Sequence, residues 1–270
     1  MHTTKQIMAK IVRKEKVAQD IFKLTLFSPF IARQGKPGNF VHIRVSQTEF
    51  PLLRRAFSLH KTNPRKGEFE LLFKVVGSGT KILSEKKAGE QLDLIGPLGN
   101  RFSFPLGNQK VLLVAGGMGL APLWFLLKHI LEKKNLKKGN IIFFQGAKNK
   151  KEVLYFKELK LLGIKHLVST EDGSLGHKGL VTDLLVKEVG IRDKVRIYAC
   201  GPSGMMKFIS DISRRASLDC QLSLEAHMPC GVGACAGCVV KAKQNKDFGY
   251  SKICSDGPIF DAREVYLYEN

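Results

Sequence analysis

The sequence predicts a β + α/β protein: an antiparallel β-barrel, then a Rossmann-like nucleotide domain on a parallel sheet, then a small C-terminal module built around cysteines. Three observations lead there. Residues 1–105 hold short β-rich runs punctuated by glycine, proline and asparagine; residues 106–219 alternate strand-like and helix-like patterns; and within residues 220–270 the segment "CGVGACAGC" packs three cysteines and three glycines into nine positions.

In the first region the runs include "DIFKLTLFS", "GNFVHIRVS", "AFSLHKT" and "FELLFKVV", punctuated by "GKPGN", "TNPRKG" and "GPLGN". Alternation broken by turn signals at this interval is the mark of an antiparallel barrel or sandwich. The pattern changes at "KVLLVAGG", an apolar strand running into glycines and then into "LAPLWFLLKHILEKK", whose apolar spacing is near 3.6. "NIIFFQGA", "KHLVSTEDG", "KVRIYACGP" and "CQLSLEAHM" read as further strands. "KEVLYFKELKLLG", "LVTDLLVKEV" and "GMMKFISDISRRAS" read as the helices between them. Strands alternating with helices imply βαβ units and a sheet covered on both faces.

Composition bounds the function. With 44% hydrophobic and 25% charged residues the chain reads as globular. No run of about 18 apolar residues predicts a membrane span, and "MHTTKQIMAKIVRKEKV" lacks the apolar core of a secretory signal. Six cysteines in 270 residues do not make a secreted disulfide scaffold, so a cytoplasmic protein is expected. The net charge of +20 is spread as scattered lysines without an arginine-rich arm or interleaved aromatics, so no nucleic-acid partner is expected.

Cys230, Cys235, Cys238 and Cys254 are spaced C-x4-C-x2-C-x15-C. A disulfide staple and a zinc site are both open to such residues. The spacing is that of a plant-type [2Fe–2S] cluster, for which one loop must supply three thiolates. Gly231, Gly233 and Gly237 permit the tight backbone turns such a loop needs. Cys254 would return at the end of the hairpin "VVKAKQNKDFGYSKIC". Of the remaining cysteines, Cys220 reads as a buried small hydrophobe, and Cys200 stands at a strand end that would face a ligand.

"VAGGMGLAPL" is a strand–glycine–helix junction suited to a dinucleotide pyrophosphate, although it is not G-x-G-x-x-G. Arg54 and Arg55 in "LLRRAFSLH" could fork a pyrophosphate, and "GSGTK" could form a phosphate nest at a helix start.

Taken together these residues resemble a known family. "RAFS" is similar to the flavin motif of the ferredoxin–NADP reductase superfamily, "GGMGLAP" to its nicotinamide-nucleotide loop, and "CGP" to its element near the nicotinamide. "CGVGACAGC" with "GYSKICSDGPIFDAREV" looks like the electron-transfer subunit of B-type dihydroorotate dehydrogenase, and the resemblance spans essentially the whole chain. Ala56 departs from it where that family often has proline. The resemblance implies three domains: an FAD-binding barrel at 1–105, an NAD-binding domain at 106–219 and a [2Fe–2S] module at 220–270. It sets Arg55, Ala56, Phe57, Ser58, Leu72, Phe73, Lys74, Gly79 and Thr80 along FAD. Gly116, Gly117, Gly119, Cys200, Gly201 and Pro202 would lie along NAD, a substrate. Cys230, Cys235, Cys238 and Cys254 would hold the cluster. No acid–base catalytic residue is implied. The implied partner is a catalytic dihydroorotate dehydrogenase subunit carrying FMN, two copies of each making a heterotetramer in pyrimidine biosynthesis. The alternatives are a reductase subunit of another redox complex, hydrogenase- or glutamate synthase-like, and, more remotely, a zinc-containing nucleotide-binding regulator.

Overall fold

The computed structural model describes residues 3–105, 109–133, 136–189, 194–244 and 247–267. The boundary expected at 106, the last residue of the helix expected to reach 134 and the tip of the hairpin at 245–246 lie outside them. The elements, in chain order, are β1 (Lys5–Ala18), β2 (Ile21–Phe27), α1 (Pro29–Gln34), β3 (Phe40–Arg44), β4 (Arg55–Asn63), β5 (Glu68–Lys74), α2 (Ser78–Glu85) and β6 (Gln91–Leu98). Then come β7 (Lys110–Gly116), α3 (Leu120–Lys133), β8 (Ile141–Ala147), α4 (Phe156–Leu161), β9 (Lys165–Thr170), β10 (His177–Lys178), α5 (Val181–Glu188), β11 (Val195–Cys200), α6 (Ser203–Arg215) and β12 (Asp219–Ser223). The last four strands are β13 (Val239–Gln244), β14 (Asp247–Lys252), β15 (Ile259–Asp261) and β16 (Val265–Tyr266).

The chain divides into two compact units. The first joins residues 1–101 to 225–239 and 251–258. In it, β1-β2-β5-β4-β3-β6 close an antiparallel barrel, and closure leaves no sheet edge unpaired. Alternate residues fill it: Leu24, Leu26, Ile43, Leu59, Phe69, Leu71 and Leu94 are fully buried. The sequence makes α1 locally, since Ser28 Oγ accepts from the Ile31 N–H and Pro29 opens the first turn. Buried Asn39 donates to the carbonyls of Gly99 and Asn100 at 2.9 and 3.0 Å. The 251–258 segment is tied to the same place, with the Asn100 N–H donating to Gly257 O at 2.6 Å and its side chain to Asp256 O at 2.9 Å.

The second unit, residues 102–224, 240–250 and 259–270, holds a sheet of order β10-β9-β8-β7-β11-β12-β15. All neighbours are parallel except β15, which pairs antiparallel with β12. α3 is apolar nearly all round, from Leu120 to Ile130, as befits a helix buried against a sheet. Two extents differ most from the sequence reading. The strand expected through Met228 ends at Ser223, and the helix expected over 151–163 is confined to Phe156–Leu161. The second difference has a local cause: Leu154 is drawn into the core, and the chain then turns into α4 through Tyr155 at φ 54, a conformation a helix cannot contain. Among the described residues no helix is long and apolar enough to cross a membrane.

Candidate cofactor sites

In the first unit, four cysteines lie on one glycine-rich loop and the turn after β14. Their thiols form two pairs, with Cys235 in hydrogen-bonding reach of Cys230 and Cys238 in reach of Cys254. Backbone N–H groups point at the sulfurs: Gly233 N donates to Cys254 Sγ at 3.1 Å, and Cys235 N, Gly237 N and Cys254 N donate to Cys230, Cys235 and Cys238, each at 3.4 Å. The Cys230 thiol is held down at about 6, foremost by the Val232 N–H and then, against burial, by those of Cys235 and Ala234. Burial, then the adjacent Cys238 thiol, pushes Cys254 up to about 12. Cys235 is exposed while Cys238 and Cys254 are buried. The loop bends through Gly231 (φ 71), Gly233 (φ 83) and Ala236 (φ 52), so the left-handed turn expected at Gly237 falls on the alanine before it. A donor set of paired thiols, each wrapped by peptide N–H groups, fits a [2Fe–2S] cluster.

β4 and β5 carry the residues expected along a flavin. Ala56 and Ser58 pair with His42 and Phe40 of β3, whereas Phe57 turns inward and meets Phe73 edge-on at 5.6 Å between centroids. Leu72 and Phe73 are buried, Lys74 half-buried. The two arginines have separate duties. Arg54 is committed to Asp93, at 2.7 Å to its carboxylate and 2.9 Å to its carbonyl. Burial raises the Asp93 pKa, but the Arg54 and Gln6 hydrogen bonds outweigh it and hold the carboxyl below its ordinary range. The Arg55 guanidinium instead lies over α2, where a Cβ on Gly79 would stand 2.9 Å from Nε. Thr80 Oγ1 caps that helix start, accepting from the Val76 and Gly77 N–H groups at 2.9 and 3.2 Å. A guanidinium above a glycine at a helix N-terminus fits a pyrophosphate.

In the second unit, β7 stands where the strand order reverses, between β8 and β11, and open α/β sheets bind ligands outside the carboxyl ends at that point. Gly116, Gly119, Cys200, Gly201 and Pro202 interlock there. A Cβ on Gly119 would lie 2.0 Å from the Cys200 carbonyl oxygen, and one on Gly116 would lie 2.7 Å from Pro202 Cδ. Gly117, at φ 52, has open space where a side chain would be, a cradle that fits a dinucleotide phosphate. Cys200 and Cys220 are both fully buried. Of the expected residues, these six therefore come together, as do the four cysteines and Arg55 with Gly79 and Thr80. Sequence reading missed His42, which lies fully buried beneath the cysteine loop; an alternating "FVHIR" strand gives no sign of that cover.

A barrel, a switch-point nucleotide loop and a clustered-thiol loop together define a ferredoxin reductase-type oxidoreductase. Residues 8–103 match an oxidoreductase FAD-binding domain and residues 113–211 an oxidoreductase NAD-binding domain. Residues 225–266 match the iron–sulfur cluster binding domain of dihydroorotate dehydrogenase B. The dihydroorotate dehydrogenase B (NAD(+)) electron transfer subunit of Desulforamulus reducens is 39% identical over 257 residues, 95% of this chain and 97% of its own. That of Geobacillus sp. (strain WCH70) is 39% identical over 266 residues, 97% and 99% of the two chains. A solved structure of an NADH-dependent reduced ferredoxin–NADP oxidoreductase, described for flavin-based electron bifurcation, superposes with a TM-score of 0.82 at 33% identity, covering 97% of this chain and 90% of that one. The chain belongs to the family of dihydroorotate dehydrogenase B electron transfer subunits. It is an oxidoreductase subunit with FAD, NAD and [2Fe–2S] domains.

Proposed function

We propose that the chain conducts electrons from a catalytic dihydroorotate dehydrogenase subunit carrying FMN to NAD, in a two-plus-two heterotetramer serving pyrimidine synthesis in the cytoplasm. The single observation that carries the reading is the pairing of four thiols, under backbone N–H donors, in the same compact unit as the flavin strands. We assign the cluster to Cys230, Cys235, Cys238 and Cys254, one thiol pair per iron. FAD falls to Arg55–Ser58, Leu72–Lys74, Gly79 and Thr80. NAD falls to Gly116, Gly117, Gly119, Cys200, Gly201 and Pro202. The functional division remains 1–105, 106–219 and 220–270.

The flavin supplies the exchange between hydride pairs and single electrons that neither nicotinamide nor cluster performs alone. The chain's own part is positional. Arg55 and the α2 start neutralise and orient a pyrophosphate; the Gly116–Gly119 turn lets backbone approach a second one; the peptide N–H groups of the cysteine loop favour thiolate over thiol. Exposure of Cys235 and of Val232, Ala234 and Ala236 beside it puts the loop within a partner's reach.

Anaerobic purification of the complex from its native cells, with mass spectrometry of what accompanies the chain, tests this. A dihydroorotate dehydrogenase catalytic subunit and dihydroorotate-dependent NAD reduction are expected. A different flavoenzyme would overturn the pathway and favour the second reading, an electron-input subunit of another complex, which the 33% identity to the ferredoxin–NADP oxidoreductase supports.

A further inference from the structure

His42 is a buried polar residue that neither the barrel core nor the sites above account for. On β3, Val41 and Ile43 turn into the barrel and are fully buried. His42, between them, stands on the opposite face, paired with Ala56 of β4 and Ile95 of β6. An outward strand position is ordinarily wet, yet His42 is 0% exposed. The cysteine loop covers it. A Cβ on Gly231 would lie 2.5 Å from Nδ1 and 2.9 Å from Cγ, so the loop backbone rides directly on the imidazole. The backbone of Met228, Arg54 and Cys230 surrounds the ring, but neither Nδ1 nor Nε2 makes a well-formed hydrogen bond. An imidazole has a hydrogen-bonding nitrogen at each side of its ring, and burying such a group unsatisfied forfeits the hydrogen bonds it made to water. An apolar side chain would cover the strand without that cost.

We propose that His42 is the positioning residue of the cysteine loop, seating Cys230 and Gly231 on the strand pair that carries Ala56 and donating its ring N–H to the Met228 or Cys230 carbonyl once the loop closes on its cluster. This rests on the assignment of the four cysteines as cluster ligands. His42 and Gly231 are then a matched pair: the glycine is required both by its left-handed backbone, φ 71, and by the ring packed where a methyl would go.

The test uses the full-length chain, reconstituted anaerobically with iron and sulfide, as wild type, His42→Ala, His42→Gln, His42→Leu, Gly231→Ala and the double variant His42→Ala/Gly231→Ala. Cluster loss to a chelator is followed by visible absorbance, the reduced cluster by EPR and redox titration, and FAD by its occupancy. Groups that support metal ligands from behind typically matter about 10–100-fold, so His42→Ala should lose its cluster faster by that factor. Its EPR spectrum and cluster potential should shift while FAD occupancy stays at the wild-type value. His42→Gln, which keeps a donor, should recover much of the loss. Gly231→Ala should do less harm in the His42→Ala background, where the ring it strikes is gone. Wild-type lability, spectrum and potential in His42→Ala would overturn the proposal, as would strictly additive effects in the double variant. Should His42→Ala not fold, failure of His42→Gln to differ from His42→Leu in cluster lability would overturn it equally. A wild-type chain that after reconstitution shows no cluster absorbance and, once reduced, no cluster EPR signal would refute the ligand assignment itself, and the proposal with it.

Discussion

Gly119→Ala strikes the tightest backbone contact found in the glycine turn after β7. The added methyl carbon would stand 2.0 Å from Cys200 O and 2.3 Å from Cys200 C, both backbone atoms at the end of a central strand. Reaching an ordinary separation of 3.4 Å requires a displacement of about 1.4 Å, the difference between those values. Neither the loop nor β11 can yield by a rotamer change, so the cost falls in the overpacking range of about 1–3 kcal/mol. For a chain of this size that lowers Tm by on the order of 2–12 °C. A misplacement of about 1 Å in a positioning element can cost roughly 100-fold in rate, so kcat/KM for NADH with ferricyanide as acceptor should fall by about that much. FAD occupancy and cluster absorbance, which belong to the other unit, should not change. Gly117→Ala is the comparison for stability: its methyl meets no protein atom, so folding is penalised only through the left-handed backbone, by about 1–2 kcal/mol, although the methyl would enter the cradle assigned to the nucleotide. Wild-type kcat/KM and Tm in Gly119→Ala would refute the reasoning.

Cys235→Ser should abolish the cluster absorbance while leaving FAD bound, and a normal cluster spectrum in that variant would remove Cys235 from the ligand set. Arg55→Ala should release FAD during gel filtration with little change in Tm of the flavin-free chain. Arg54→Ala should do the reverse, lowering Tm by breaking its 2.7 Å pair with Asp93, an exchange of about 1–3 kcal/mol, so equal flavin loss in both would erase the distinction drawn between them. His166 supplies a pH dependence. Burial lowers its pKa from 6.5 to about 4 in the folded protein, so between those values the unfolded chain binds the extra proton. Stability is therefore full above pH 6.5 and falls as pH drops toward 4, and His166→Gln should flatten that slope in urea titrations at stepped pH.

The parts of this protein that rest on neighbours in the chain were legible in its sequence. The C-x4-C-x2-C-x15-C spacing, the strand–helix alternation after residue 110 and the glycine turn after "KVLLVA" are local, because thiolates from one loop, hydrophobic periodicity and permitted φ values are all set within a few residues. Adjacent arginines, by contrast, look alike in a sequence. Asp93 takes Arg54 and the α2 start faces Arg55, and those partners come from β6 and a helix whose approach only barrel closure decides. Gly119 likewise reads as a turn residue, but what forbids a side chain there is the carbonyl of Cys200, delivered by the order of strands in the sheet. His42 is the extreme case. Its strand pattern marks it as outward-facing, and only the return of residues 228–231 across the barrel turns a surface position into a buried one. Sequence by itself determined which chemistry the chain can hold; tertiary structure decided where each of its identical-looking side chains is placed, since that depends on what distant backbone is folded against each.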